Sequence, residues 1–132
     1  MSAVLDTHAA IWYLLDAKNL SQKAFSLIDD AAAGGQPAYI SAVSLVEIVY
    51  LVERGRIASN AFETFIAELN QENPAFTVFP LDTEVSSALT RIPRNVVPDM
   101  PDRIIAATAL HLDLPLVTRD RRLQTAGIKT VW

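Results

Sequence analysis

Residues 99–120 read DMPDRIIAATALHLDLPLVTRD, and the change of character along this stretch decides the fold. Pro101 suits the first turn of a helix, where its missing N–H costs nothing, and DRIIAATALHLDL supplies the helix body. Pro115-Leu116-Val117-Thr118 is then a short strand candidate, with Asp120 just past its end. The start of the chain carries a related pattern. Ala3-Val4-Leu5 is an apolar run ended by Asp6, and Ala9, Trp12, Tyr13 and Asp16 follow at helical intervals.

Between these two stretches, residues 21–35 (SQKAFSLIDDAAAGG) begin with the cap residue Ser21, carry Ala24, Phe25, Leu27 and Ile28 on one side, and stop at Gly34-Gly35. Ala38-Tyr39-Ile40 is a strand candidate, and Ser41 caps a long apolar helix running to Gly55. A further helix is expected from Ser59 to Glu72, closed by Asn73-Pro74. Phe76 to Leu81 reads as a strand, and Asp82 opens a capped helix, DTEVSSALTRI. IPRNVVPDMP, residues 92–101, cannot sustain regular hydrogen bonding and is expected to be an irregular loop. A short helix from Arg121 to Ala126 ends at Gly127, and Thr130-Val131-Trp132 closes the chain as an edge strand. Parallel neighbours need a crossover that a helix supplies, so this alternation predicts an α/β fold with a mostly parallel sheet and helices on both faces. With 132 residues and no repeat or linker, one domain covering 1–132 is expected.

Composition removes several functions. The absence of cysteine excludes disulfides, thiolate metal sites and a cysteine nucleophile. The N-terminus lacks a basic start, and no apolar run approaches the ~18 residues of a membrane span, so a cytoplasmic location is expected. The net charge of −4 is not the footprint of a protein that coats nucleic acid. Its distribution is uneven, however: from Arg91 onward the net charge is +3, with Arg119, Arg121 and Arg122 beside Asp120. A bound divalent cation would also reverse the local sign where a phosphate must approach.

The acids carry the chemistry. In open α/β sheets ligands bind outside the carboxyl ends of the strands, and both Asp6 and Asp120 follow strand candidates there. A single acid in such a place is ordinarily an N-cap for the next helix; two distant ones delivered to one sheet edge weaken that explanation. Glu47 is the only charged residue from Ala42 to Val52. A carboxylate among Leu45, Val46, Ile48 and Val49 needs a cation, a donor cluster or a metal ion. Ser44-x-x-Glu47 could also be a capping box, but Ser41 fits the helix start better. Asp102 shares a helix face with Ile105, Ala106 and Ala109, whereas Asp99 precedes the helix as a cap or outer-shell residue. Such a set suits one or two Mg²⁺ or Mn²⁺ ions, which prefer oxygen ligands.

Other centres are weaker. His8 and His111 are too few for a histidine zinc site and suit helix-surface or capping roles. Ser41, Ser44 and Thr118 lack a nearby histidine base. No phosphate-binding glycine motif occurs. Trp12 and Tyr13 read as core or interface residues.

LDTHAAIW, ISAVSLVEIVYLVERGRI, PDRIIAATALHLDLPLVTRD and the closing Val131-Trp132 together resemble a PIN-domain protein of the VapC toxin-ribonuclease type, over essentially the whole chain. The resemblance implies a three-layer α/β/α sandwich around a parallel sheet. It places Asp6, Glu47, Asp102 and Asp120 in the family's acidic Mg²⁺ or Mn²⁺ site, with Thr118 as the hydroxyl residue beside the last acid. It further implies an RNA substrate, an antitoxin partner and a homodimer, for which the aromatic and aliphatic surface of the N-terminal helices offers an interface. Arg119, Arg121 and Arg122 are candidates for guiding the RNA backbone. A PIN-like module that binds RNA or a partner without cutting is the alternative. A receiver-like phosphoacceptor domain fits poorly, since Asp6 stands alone and Lys129 is the only late lysine.

Overall fold

The computed structural model describes residues 2–132. In chain order the elements are β1 (Val4–Leu5), α1 (Thr7–Leu15), a 3-10 turn (Ala17–Asn19), α2 (Gln22–Ala33), β2 (Ala38–Ser41), α3 (Ala42–Glu53), α4 (Ala61–Leu69), β3 (Phe76–Phe79), α5 (Thr83–Leu89), α6 (Met100–Leu112), β4 (Leu116–Val117), α7 (Arg121–Gln124) and β5 (Thr130–Val131). The five strands pair in the order β3-β2-β1-β4-β5, every pair parallel. Thr130–Val131 is an edge strand, as the sequence implies.

Alternation along each strand builds the layers. Val4 pairs with Tyr39 and Leu116, and these three side chains join the core formed with α5, α6 and α7. The next residues, Leu5, Ile40 and Val117, point to the opposite face and pack with α1, α2, α3 and α4. A period of two thus divides one apolar set between two cores, giving the three-layer α/β/α sandwich. Side-chain caps start most of the longer helices where the sequence places them: Ser21 accepts from the Ala24 amide at 3.0 Å, Ser41 from Val43 at 3.2 Å and Asp82 from Val85 at 2.9 Å.

Several helices are shorter than the sequence suggests, with α5 ending at Leu89 and α7 at Gln124. α4 ends at Leu69 rather than continuing to Glu72. Glu68 reaches forward to accept from the Ala75 amide at 3.0 Å, which closes the turn after α4 and leads the chain past Asn73-Pro74 into β3. Residues 92–98 are irregular, as expected of their prolines. Among the described residues no helix is long and apolar enough to cross a membrane.

Candidate active site

From β1 the chain builds β2 and β3 outward on one side, then returns to add β4 and β5 on the other. The helix after β1 packs on one face of the sheet and the helix after β4 on the opposite face. Diverging connections of this kind open a crevice at the carboxyl ends of the two strands. Asp6 ends β1, and Thr118, Arg119 and Asp120 follow β4. Glu47 enters from the second turn of α3 and Asp102 from the first turn of α6. All four acids line one cavity of about 450 Å³, together with Thr7, His8, Trp12, Asp99 and Arg119. A neighbouring hollow of about 290 Å³ shares Asp99, Asp102 and Asp120 and adds Arg121 and Arg122. Each acid, arginine and threonine proposed from the sequence therefore lies in or beside this pit.

The capping explanation also holds. Asp6 Oδ1 accepts from the Ala9 amide at 2.8 Å, and Asp120 Oδ1 accepts from the amides of Arg122 and Leu123 at 2.8 and 3.3 Å. Asp99 caps α6 through the Asp102 amide at 3.1 Å. Capping and lining the pit are compatible, because a carboxylate has two oxygens and about four lone-pair sites. Asp6 Oδ2 takes the Thr118 hydroxyl at 2.5 Å, while Thr118 Oγ1 accepts from the Asp120 amide at 3.0 Å. One hydroxyl thus ties together the acids that follow β1 and β4.

Glu47 is held by a second hydroxyl chain. Thr7 Oγ1 donates to Glu47 Oε1 and lies 2.9 Å from Ser44 Oγ. Thr7 has a single proton and gives it to the carboxylate, so Ser44 is the donor to Thr7. Ser44 is fully buried and Ser41, not Ser44, caps α3. Asp102, by contrast, has no side-chain hydrogen bond tying it to the wall.

No ion pair offsets this charge: the one ion pair among the described residues, Lys18 with Asp16, lies elsewhere. Burial, opposed by the Thr118 hydroxyl, the Ala9 amide and His8, raises the pKa of Asp6 above the usual carboxylate range. Burial likewise raises Glu47, against the Thr7 bond, with Asp99 adding to the rise. Asp102 is pushed up to about 7, first by burial and then by Asp99, Glu47, Asp120 and Asp6. Its place in the first turn of α6 favours the charged form by well under that amount, so burial and like charge win.

These features fit a divalent ion of the hard, oxygen-binding kind. Every acidic ligand candidate supplies oxygen, and the carboxylates repel one another without a counter-ion. As they stand, no three His, Asp or Glu side chains among the described residues form a group that could hold an ion. Mg²⁺ is ordinarily held by one or two carboxylates, with water and substrate phosphate completing its shell, so a loose acidic pit suits it better than a closed cage would.

Three residues lining the pit, Thr7, His8 and Trp12, and Ser44 buried behind Thr7 lie outside the site read from the sequence. His8 and Trp12 reach it because α1 starts immediately after Asp6, and one turn of helix carries position 12 to the side of position 8, with ring centroids 5.6 Å apart. The pairing of Thr7 with Ser44 spans 37 residues and leaves no local signal.

A model of the PIN domain family matches residues 3–129. Ribonuclease VapC22 of Mycobacterium tuberculosis is 28% identical over 125 residues, which cover 94% of this chain and 91% of that relative. Among solved structures, VapBC2 from Rickettsia felis bound to a promoter DNA fragment superposes with a TM-score of 0.74 at 13% identity, over 99% of this chain and 98% of that one. FitAcB from Neisseria gonorrhoeae gives 0.69 at 22% identity, over 100% and 97%. A toxin–antitoxin complex from Klebsiella pneumoniae gives 0.63 at 20% identity, over 98% and 96%. At these identities the structural likeness establishes a shared fold.

Proposed function

The chain belongs to the PIN-domain family, and from that premise and the geometry of the pit we propose that it is a metal-dependent endoribonuclease, the toxin of a toxin–antitoxin pair. Asp6, Glu47, Asp102 and Asp120 hold Mg²⁺ or Mn²⁺ against an RNA phosphodiester, within a single nuclease domain spanning 1–132. The observation that carries this reading is the meeting of four sequence-distant carboxylates in one cavity with none of them in an ion pair. Likeness to the mycobacterial ribonuclease supports the substrate class.

When bound, a divalent ion polarises the phosphoryl oxygen and lowers the pKa of an attacking water. The chain's own residues do the rest. Thr118 fixes the rotamer of Asp6, and Thr7, backed by Ser44, fixes Glu47. Asp102 has both oxygens uncommitted and adjusts to the ligand. Arg119, Arg121 and Arg122 bind phosphates on either side of the cut. Asp99 belongs to the helix start and supports the site through its charge.

Its partners in this role are an antitoxin that blocks the pit and a second copy of the chain, in the cytoplasm. Apolar surface is offered to them on α1, where Leu15 is 39% exposed, and on α3 and the start of α6. Trp12 packs edge-on against Trp132, Tyr13 packs against Phe25 and Phe76, and both stay partly exposed. Val46, Tyr50 and Met100, beside Glu47, are 55%, 53% and 65% exposed.

Cleavage of single-stranded RNA in Mn²⁺ or Mg²⁺, stopped by EDTA and abolished in Asp6→Asn, tests the proposal. Binding of RNA without metal-dependent cleavage would favour the non-cutting module instead.

A further inference from the structure

Arg119 is the arginine that lines the acidic pit itself. Five carboxylates line the cavity it borders, yet it pairs with none of them. Its guanidinium carbon instead lies 4.6 Å from the centroid of the Trp12 ring. Trp12 is itself braced: Trp132 meets it edge-on at 5.9 Å and His8 flanks it at 5.6 Å. Arg103 provides a contrast. Its guanidinium is consumed by the carbonyls of Ile92 and Leu89 at 3.0 and 3.2 Å, so it ties the loop after α5 to α6 and has little left for a ligand.

A guanidinium held over an aromatic face keeps N–H donors free at its edge, where a phosphate can be met by two of them at once. That contact also favours a position off Asp120 and Asp102, where the guanidinium would neutralise the charge needed for a cation. We propose that Trp12 is a positioning residue, whose indole holds Arg119 at the mouth of the acidic pit, off the carboxylates and ready for a phosphate of the RNA strand. This rests on the nuclease reading and extends it to a residue that touches neither metal nor scissile bond. Trp12 acts through Arg119 alone, and a lysine at 119, which has the charge but not the plane, does not substitute.

The test uses the full chain carrying Asp120→Asn, which keeps the helix cap but stops cleavage, with Mn²⁺ present and a short single-stranded oligoribonucleotide as probe. Anisotropy across a salt series is measured without further change and with W12L, W12F, R119A, R119K and the W12L/R119A pair. Expected are losses of about three- to tenfold for W12L, R119A and R119K, with W12F within about twofold of the parent. W12L and R119A should each flatten the dependence of log K on log salt by about one phosphate contact, an effect that mere loosening of the core would not produce. The pair should be no weaker than R119A alone. Parent-like affinity and salt slope in W12L, or losses that add in the pair, would overturn the inference while leaving the nuclease reading in place. If the unsubstituted chain neither binds nor cuts RNA in Mn²⁺, the nuclease reading fails and this inference with it.

Discussion

The two walls of the pit are built differently. On the β1 and α3 side, Asp6 is nearly buried and Glu47 half-buried, and each is fixed by a threonine hydroxyl from another element. On the α6 side, Asp102 is equally without an ion pair but has no side chain holding it, and its pKa rises to about 7. The first wall is fixed by the protein's own hydrogen bonds; the second leaves the Asp102 carboxylate free to meet a ligand. This asymmetry suits an ion that must be gripped and also released with product, since a fully pinned set would be rigid and a fully loose one weak.

The largest effect that would break the comparison belongs to the pinned wall. Asp6→Asn preserves the cap but removes a charged ligand, and RNA cleavage should fall by on the order of a hundred- to a thousandfold, the equivalent of several kcal/mol of transition-state stabilisation. Next come the hydroxyls. Thr118→Val and Thr7→Val should each weaken Mn²⁺ binding by roughly ten- to a hundredfold, as loss of a ligand's supporting hydrogen bond does in other metal sites. Equal affinity in Thr7→Val and the unsubstituted chain would mean that the hydroxyl chain through Ser44 is only packing.

The loose wall predicts a pH effect. An acid whose folded pKa lies above its unfolded value stabilises the fold fully below the unfolded value, and that contribution is lost as pH rises through the folded one. For Asp102 the window runs from 3.8 to about 7. In EDTA the melting temperature should therefore fall between pH 5 and pH 8, Asp102→Asn should flatten that fall, and Mn²⁺ should restore the temperature at pH 8. Asp6 and Glu47, also raised, act in the same direction. The smallest effect is at the rim: Arg121→Glu with Arg122→Glu should weaken RNA binding and reduce its salt dependence by about two phosphate contacts, with the fold unchanged. Binding and salt dependence equal to the unsubstituted chain would remove these arginines from the substrate path.

Much of the architecture is legible because its signals are local. Short apolar runs closed by Asp6 and Asp120 mark strand ends, and capping residues such as Ser21, Ser41 and Asp82 mark helix starts. The convergence of Asp6 with Asp120 follows from topology, since parallel neighbours at a switch point deliver both to one edge. What holds these acids is not local. Thr118 reaches Asp6 across 112 residues and Thr7 reaches Glu47 across 40, and an isolated threonine gives no hint of either partner. The roles of Trp12 and His8 depend on how α1 is rotated about its axis. Apolar residues surround that helix, so periodicity alone does not fix the rotation. The exposed patch of Val46, Tyr50 and Met100 is hidden for the same reason: a nearly all-apolar α3 does not announce which side is left uncovered.

The central claim is that the acids act together on a divalent ion, and calorimetric titration of Mn²⁺ into the metal-free chain at pH 7, in two buffers of different protonation enthalpy, tests it most directly. Saturable binding that releases protons is expected, as Asp102 is driven to its charged form, with binding lost in Asp6→Asn and Glu47→Gln and the proton release reduced in Asp102→Asn. Absence of saturable binding, or the same affinity in all three variants as in the unsubstituted chain, would contradict it.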